Sequence, residues 1–413
     1  MANTIGIIGG GLAGLTLAAL LGEAGFDVTC IDAEALSTSA SAGYDVRTTA
    51  ISYGSRQVME DAGVWQSLAG NREAIKTIDI LDGDSKHVLN FDSKEIDAEA
   101  FGWIVDNADL RRALVARVQS LKTVRHLTGV KVRDVTFTDT HARIILDSGK
   151  NIDVGLVIGA DGRKSILRDV MRIGTWGRDY KQTAIVCLVV HEKPHHGMAV
   201  EHFMAEGPFA LLPFTDLPDG THRSALVWTV HGGDARPWID CDEDIFNAAL
   251  NERSAGRYGT MRVAGKRGAF PLSLAKSYAY TAPRAVLVAE AAHGIHPTAG
   301  QGLNMSLRDI AALADILREH KGSDIGDRAV LKQFQSERRM DNLSMAFATD
   351  GLTMLFSNDF IPVSLLRKAG LHMVSRLSFA KRFFMEQAMG LGAFKKAADI
   401  SGKRRPSRAA RQR

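Results

Sequence analysis

Cysteine is scarce. The 413 residues hold three, Cys30, Cys187 and Cys241, far apart and without C-x-x-C or metal-type spacing. That excludes a disulfide framework and points to a reducing compartment. Cys30, inside an apolar run, reads as a small core residue. Basic residues are missing before Arg47, so the apolar stretch 5–21 has no charged flank and is not expected to be a signal peptide. The same stretch carries five glycines and meets an acid at Glu23, which excludes a membrane span. The expected location is cytoplasmic. A second G-x-G-x-x-G unit is also lacking, so no separate nicotinamide domain is expected.

Acids are nearly absent at the C-terminal end. Residues 362–413 contain 13 Lys+Arg against Glu386 and Asp399, a net of +11; with +4 overall, the remainder carries −7. Apolar residues Leu365, Leu366, Leu371, Phe379, Phe383 and Phe384 interleave with Arg367, Lys368, Arg376, Lys381 and Arg382. This pattern suits either an amphipathic helix on an anionic membrane surface or a helical cap over the core. No aromatic side chain interleaves with the terminal basic run, so no nucleic acid is expected as a partner.

What is present begins at the N-terminus. Ile5, Ile7 and Ile8 form a β-branched run, Gly9, Gly11 and Gly14 follow at G-x-G-x-x-G spacing, and residues 12–21 are almost wholly apolar. A second strand at 26–31 ends at Asp32. Strand, glycine turn, helix, strand and acid in this order form a dinucleotide fingerprint. Gly9 permits the turn, Gly11 lets backbone approach a pyrophosphate, and Gly14 lets helix and strand pack. Asp32 is placed to accept hydrogen bonds from a ribose. Two later segments have the same strand-then-loop character. Gly159-Ala160-Asp161-Gly162 follows a strand predicted at 154–158, and Glu290 follows one at 285–289, before Gly300-Gln301-Gly302 and a helix predicted from about Asn304 to Arg318. Residues 183–280 read as a β-rich insert and the last ninety as helical. His191-Glu192-Lys193-Pro194-His195 spells H-E-x-x-H, but Pro194 opposes the helix that zinc binding needs. A strand end and turn are expected there, and no metal. His293 and His296 stand as loop histidines suited either to acid–base work or to structural hydrogen bonding.

These segments together resemble the FAD-dependent aromatic hydroxylases of the single-component type, and among them the ubiquinone-biosynthesis hydroxylases. The closer matches are Asp45-Val46-Arg47-Thr48-Thr49-Ala50-Ile51-Ser52 and His296-Pro297-Thr298-Ala299-Gly300-Gln301-Gly302-Leu303-Asn304. Thr349-Asp350-Gly351-Leu352, Leu355-Phe356-Ser357-Asn358, Lys381-Arg382-Phe383-Phe384 and Gln387-Ala388-Met389-Gly390 match as well. One departure stands out: the wider group has Gly-Asp where this chain has Ala289-Glu290.

The resemblance implies an α/β protein of para-hydroxybenzoate-hydroxylase-like fold, with a Rossmann-like FAD-binding domain, a β-sheet substrate domain and a helical C-terminal region. The expected boundaries are 1–74, 104–180 and 281–325 for the FAD-binding domain, 75–103 and 181–280 for the substrate domain, 326–401 for the helical region and 402–413 for a disordered basic tail. It implies that Gly9, Gly11, Ala13 and Gly14 hold the FAD pyrophosphate and Asp32 the adenosine ribose. Arg47 and Arg111 would lie along the phosphates and ribose, Asp161 would serve FAD and the passing nicotinamide, and Glu290 would face the ribitol. Gly302, Leu303 and Asn304 would present backbone to the flavin ring. NADH or NADPH is the implied transient reductant, O2 the cosubstrate and a polyprenylated phenol the substrate. Two alternatives stay open: a hydroxylase of a soluble aromatic compound, and a non-catalytic FAD-binding member of a quinone-biosynthesis complex.

Overall fold

The computed structural model describes residues 3–39, 45–83, 85, 88–204, 206–232, 235–294, 300–356 and 377–390. Strand Thr4–Ile8 lies inside a six-stranded sheet, between the parallel strands Leu156–Gly159 and Asp27–Asp32. Val124–Thr128 extends the sheet beyond Asp27–Asp32, and Ala285–Leu287 extends it beyond Leu156–Gly159. Thr281–Ala282 closes that edge antiparallel. The strands are near-continuous apolar runs because both faces are covered. Ile5, Ile7, Val28, Cys30, Val157 and Val286 are all buried in one core with Leu15, Leu17 and Leu20 of helix Leu12–Glu23. Cys30 is therefore a core residue, as its context suggests.

Residues 154–158 do not form one strand. Asn151–Val154 ends a three-stranded antiparallel meander with Ala142–Leu146 and Val132–Phe137, and Leu156–Gly159 begins the parallel sheet. An uninterrupted apolar run conceals this change of partner. Gly155 marks it, its N–H donating to the Thr4 carbonyl at 3.0 Å. The late helix also starts earlier than expected, at Gln301, and runs to Glu319.

The second large element is an eight-stranded sheet. Its order is His293–Gly294, Met261–Ser277, Thr175–His191, His222–His231, Gly207–Phe214, Met198–Met204, Thr77–Asp82 and Val88–Asp92. One face packs on helix Glu243–Ser254 through Trp228, Phe246 and Leu250. Against the opposite side lie Phe101, Ile104 and Met385, the last from helix Ser378–Ala388. A small sheet of Thr48–Ser52, Gly102–Asp106 and Arg72–Ile75 sits beside it. Helix Arg328–Phe356 packs along helix Gln301–Glu319. No described helix is long and apolar enough to cross a membrane. Residues 295–299, 357–376 and 391–413, which include His296 and most of the basic C-terminal end, lie outside the described residues.

Candidate active site and its cofactor cradle

The three loops of the fingerprint segments leave the carboxyl ends of adjacent parallel strands, Thr4–Ile8, Leu156–Gly159 and Ala285–Leu287. That is where open α/β sheets bind ligands. They line one cavity of about 2040 Å³. Eleven of the twelve expected site residues reach it, from Gly9 to Asn304; Gly14 lies underneath.

The glycines do different jobs. Gly9 has φ +109°, and a Cβ there would fall 2.3 Å from the Ala160 carbonyl oxygen. A Cβ on Gly14 would fall 1.9 Å from the Gly9 oxygen, so Gly14 is where helix and turn touch. Gly11 has nothing within 4 Å of its missing Cβ, and Gly302 is equally open. Open space over backbone is what a closely approaching ligand requires. Both helices that begin here, Leu12–Glu23 and Gln301–Glu319, lack a side-chain cap and lack an acid in the first turn. Their first N–H groups and the positive ends of their dipoles are left for an anionic ligand.

Asp32 is buried at the far side of the turn. Its Oδ1 accepts from the Glu34 N–H at 3.0 Å and its Oδ2 from Arg111 at 2.7 Å. The same guanidinium donates to the Gly10 carbonyl at 2.8 Å, which leaves the buried Arg111 Nε without a partner. Arg47 lies over the Phe270 ring at 5.0 Å and grips Asp45 with two bonds of 2.8 and 2.7 Å. Burial opposes charge on Asp45, but the Arg47 guanidinium and Asn107 still hold its carboxyl below its ordinary range. Asp161 uses Oδ2 to cap helix Ile166–Val170 through the Ile166 N–H at 2.8 Å, while its buried Oδ1 has no partner. Burial pushes this carboxyl up. Buried polar atoms are rarely orphaned, so Arg111 Nε and Asp161 Oδ1, both at the wall of the cavity, fit a polar ligand there.

The Ala289-Glu290 departure has a local consequence. Ala289 adopts φ +55°, the left-handed region that glycine occupies without strain. Glu290 is half-exposed and faces Arg163, Oε1 to Nε at 3.5 Å; Arg163 also donates to Ser273 at 2.8 Å. Asn304 does more than offer backbone. Its Oδ1 accepts from the Ser52 N–H at 2.9 Å, and its Nδ2 donates to the carbonyls of Ala50 and Gly300 at 2.8 and 3.0 Å. The side chain thus pins strand Thr48–Ser52 to the open helix end.

His191, His195 and His293 make structural hydrogen bonds. Buried His293 donates to Asp309, whose other oxygen accepts from Arg338 at 2.8 Å and Asn342 at 3.0 Å. Strand Thr175–His191 ends at the first histidine of H-E-x-x-H, so the motif is not helical. His191 spends Nδ1 on the Lys193 carbonyl and Nε2 on Ser224; His195 spends Nε2 on the Phe214 carbonyl and Nδ1 on the Gly197 N–H. Sequence reasoning missed Arg163, Phe270 and the sheet side chains that form the other half of the cavity, including Glu201. For the sheet, the available signal was alternation along the strands.

Two uncapped helix ends, a buried acid held by Arg111 and an apolar sheet opposite fit the FAD-dependent monooxygenases of para-hydroxybenzoate-hydroxylase-like fold. Comparison with known proteins agrees. The chain belongs to the FAD binding domain family, whose model matches residues 2–344. It is 38% identical to the ubiquinone hydroxylase UbiL of Rhodospirillum rubrum, over 93% of this chain and 89% of that one. It is 31% identical to the 3-demethoxyubiquinol 3-hydroxylase of Escherichia coli, over 94% and 98%. Among solved structures, p-nitrophenol 4-monooxygenase PnpA of Pseudomonas putida shares the fold, with a TM-score of 0.76 at 16% identity, over 94% and 98% of the two chains.

Proposed function

We propose that this FAD-dependent monooxygenase uses NADH or NADPH and O2 to hydroxylate the aromatic ring of a polyprenylated phenol in ubiquinone biosynthesis. One observation carries the substrate class: the cofactor cradle opens into an apolar chamber within the same cavity. At about 2040 Å³ the cavity exceeds the roughly 300–1,000 Å³ of a site for a single small ligand. Its wall beyond the cradle includes Ile78, Ile80, Phe91, Ala199, Phe203, Leu212, Phe270 and Met385. Such a wall suits a ring with a hydrocarbon tail better than a small soluble phenol, and the relatives named for ubiquinone intermediates support the same class.

When bound, FAD supplies the redox and oxygen chemistry. The chain's residues do the rest. Gly9, Gly11, Ala13 and the first turn of helix Leu12–Glu23 receive the pyrophosphate, with Gly14 setting their position from beneath. Asp32 and Arg111 receive the adenosine side, and Arg47 lies along it. Asp161 Oδ1 and Glu290 take the sugar-like middle, and Asp161 also meets the passing nicotinamide. Gly302, Leu303 and Asn304 offer N–H groups to the flavin ring. The sheet excludes water and holds the substrate ring.

Leu377, Phe379, Phe383 and Phe384 are exposed on and beside helix Ser378–Ala388, and Phe383 and Phe384 also line the cavity. This supports peripheral contact of that face with an anionic membrane, from which a prenylated substrate would enter. The test of function is direct. The FAD-loaded protein with NADPH, O2 and a prenylphenol should form a product carrying one oxygen atom from O2. NADPH oxidation indifferent to prenylphenols, without hydroxylated product, would sink the reading. For the membrane contact, Phe383→Ser with Phe384→Ser should abolish co-sedimentation with anionic vesicles; unchanged binding would remove it.

A further inference from the structure

The cavity-facing side of the eight-stranded sheet is mostly apolar, and Glu201 in its middle is the carboxylic side chain of the sheet that lines the cavity, which the hydroxyl-bearing Thr229 lines as well. Register places Glu201 between Ile80 and Ala210; Ala210 pairs onward with Val227, and Val227 with Val186. All five line the cavity, and paired residues on neighbouring strands point to the same face. Glu201 is thus a carboxylate in a row of four apolar side chains. Among the described residues, its carboxyl has no hydrogen bond and no ion pair. A carboxylate at an apolar cavity wall without a protein partner is unfavourable, and such groups cluster where a ligand completes them.

The ionisable groups on the surrounding elements do not complete it. Asp82 shares its face two residues further along, paired in register with Phe203. Asp79 is directed to the other face, onto Arg257, and His202, next to Glu201 on strand Met198–Met204, bonds the Gly83 carbonyl. Strand Gly207–Phe214 carries no ionisable side chain, and Val88–Asp92 ends in Asp92. On helix Ser378–Ala388, Lys381 pairs with Glu95 and Arg382 with Glu386.

We propose that Glu201 receives the hydroxyl of the aromatic substrate and accepts its proton as the ring is hydroxylated, an assignment that rests on the hydroxylase reading above. The phenolic O–H bond breaks, the proton moves to a Glu201 oxygen, and the electron pair left on the phenol oxygen is pushed into the ring. The ring carbon ortho or para to it forms the new C–O bond with an oxygen atom from O2. Loss of the ring C–H proton restores aromaticity, and Glu201 returns its proton to the phenol oxygen. Overall, ring C–H, O2, NAD(P)H and one proton give ring C–OH, NAD(P)⁺ and water. The nicotinamide is oxidised, and the second oxygen atom is reduced to water.

The local environment suits this work. Burial pushes Glu201 up to about 7. That brings it nearer a phenol, at about 10, than an ordinary carboxylate, while leaving it largely ionised just above neutrality.

The test uses FAD-loaded protein with 2-geranylphenol and its methyl ether, 2-geranylanisole, as probes. Glu201→Gln keeps the shape and an acceptor but cannot take the proton. It should bind FAD normally and 2-geranylphenol within about threefold, yet form product about 10²–10⁴ times more slowly. Wild-type product formation should rise with pH through about 7, a limb that Glu201→Gln loses and Glu201→Asp partly restores. Glu201→Leu should in addition bind phenol and ether equally, a readout independent of turnover. Wild-type hydroxylation with an unchanged rate and pH profile in Glu201→Gln overturns this proposal alone. A wild-type enzyme that hydroxylates no prenylphenol overturns the hydroxylase reading and this proposal with it.

Discussion

Replacing Asp309 by alanine should be among the most damaging single changes in this chain, although the residue lies outside the cavity wall. Asp309 is buried on helix Gln301–Glu319 and collects donors from three directions: His293, Arg338 and Asn342. Burial opposes its charge, yet His293 and Arg338 hold its carboxyl well below the carboxylate range. Arg338 is buried too, and among the described residues its charge is otherwise met only by Asp341 at 2.8 Å. Alanine would strand a guanidinium and an imidazole, a change that costs about 3–5 kcal/mol for buried pairs. Asparagine keeps one acceptor and should cost about half as much. Urea unfolding of the apoprotein, followed by tryptophan emission at pH 7.5, measures both. The same network joins helix Gln301–Glu319, whose open end we assign to the flavin, to helix Arg328–Phe356, so FAD affinity should fall in the same order. A lowered folded pKa means that this stabilisation is present above the ordinary carboxylate range and is lost only as pH falls through the folded value. The difference between wild type and Asp309→Ala should therefore stay flat from about pH 6 to 8. A loss below about 1 kcal/mol, or one that disappears within that window, would show that the network does not carry the helix.

Other perturbations separate the roles of neighbouring residues. Gly11→Ala meets no atom in the protein, so the apoprotein should keep its melting temperature while FAD affinity falls at least tenfold; Gly14→Ala, whose Cβ would collide with the Gly9 oxygen, should lose both. Unchanged FAD binding in Gly11→Ala would refute the pyrophosphate site. Ala289→Gly should relieve a left-handed strain of about 1–2 kcal/mol against about 0.5–1 kcal/mol of added chain entropy, giving a small rise in thermal stability. A fall in melting temperature would contradict it. Glu201 carries a raised folded pKa, so its contribution is fully favourable below about pH 4.5 and is lost as pH rises through about 7. Glu201→Gln should therefore stabilise the substrate-free enzyme by up to about 3 kcal/mol at pH 8 relative to pH 5, read by thermal unfolding. Equal melting shifts at the two pH values would refute it.

How far the sequence was legible depended on the range of each constraint. The opening turn could be read because its reasons are local. Gly9 must adopt positive φ, and Gly14 must pass within van der Waals reach of a residue five positions away. The two later loops could be found because each follows a strand of the same sheet. The split at Gly155 was hidden because two strands in different sheets share one apolar run, and partner choice is not written in periodicity. Asn304 was matched by motif, but its job of joining strand Thr48–Ser52 to the helix spans some 250 residues and leaves no local mark. Arg111 was placed beside the cofactor, while its bond to Asp32, across 79 positions, needed the fold.

Glu201 is the instructive miss. Its strand, Met198–Met204, reads Met-Ala-Val-Glu-His-Phe-Met, and the outward positions of such a strand are where an acid belongs. Ala199 and Phe203, two residues to either side, share its face and line the cavity, so the acid occupies an inward position. A single strand cannot reveal which face is inward, because alternation defines two faces without naming them. Pairing with Ile80 and Ala210 names it. Once the face is known, the acid violates the pattern that its apolar neighbours establish, and functional sites are where local rules are expected to fail. Its lack of a partner among the described residues then separates it from Asp309: the saturated acid serves the fold, and the unsaturated one is left for a ligand.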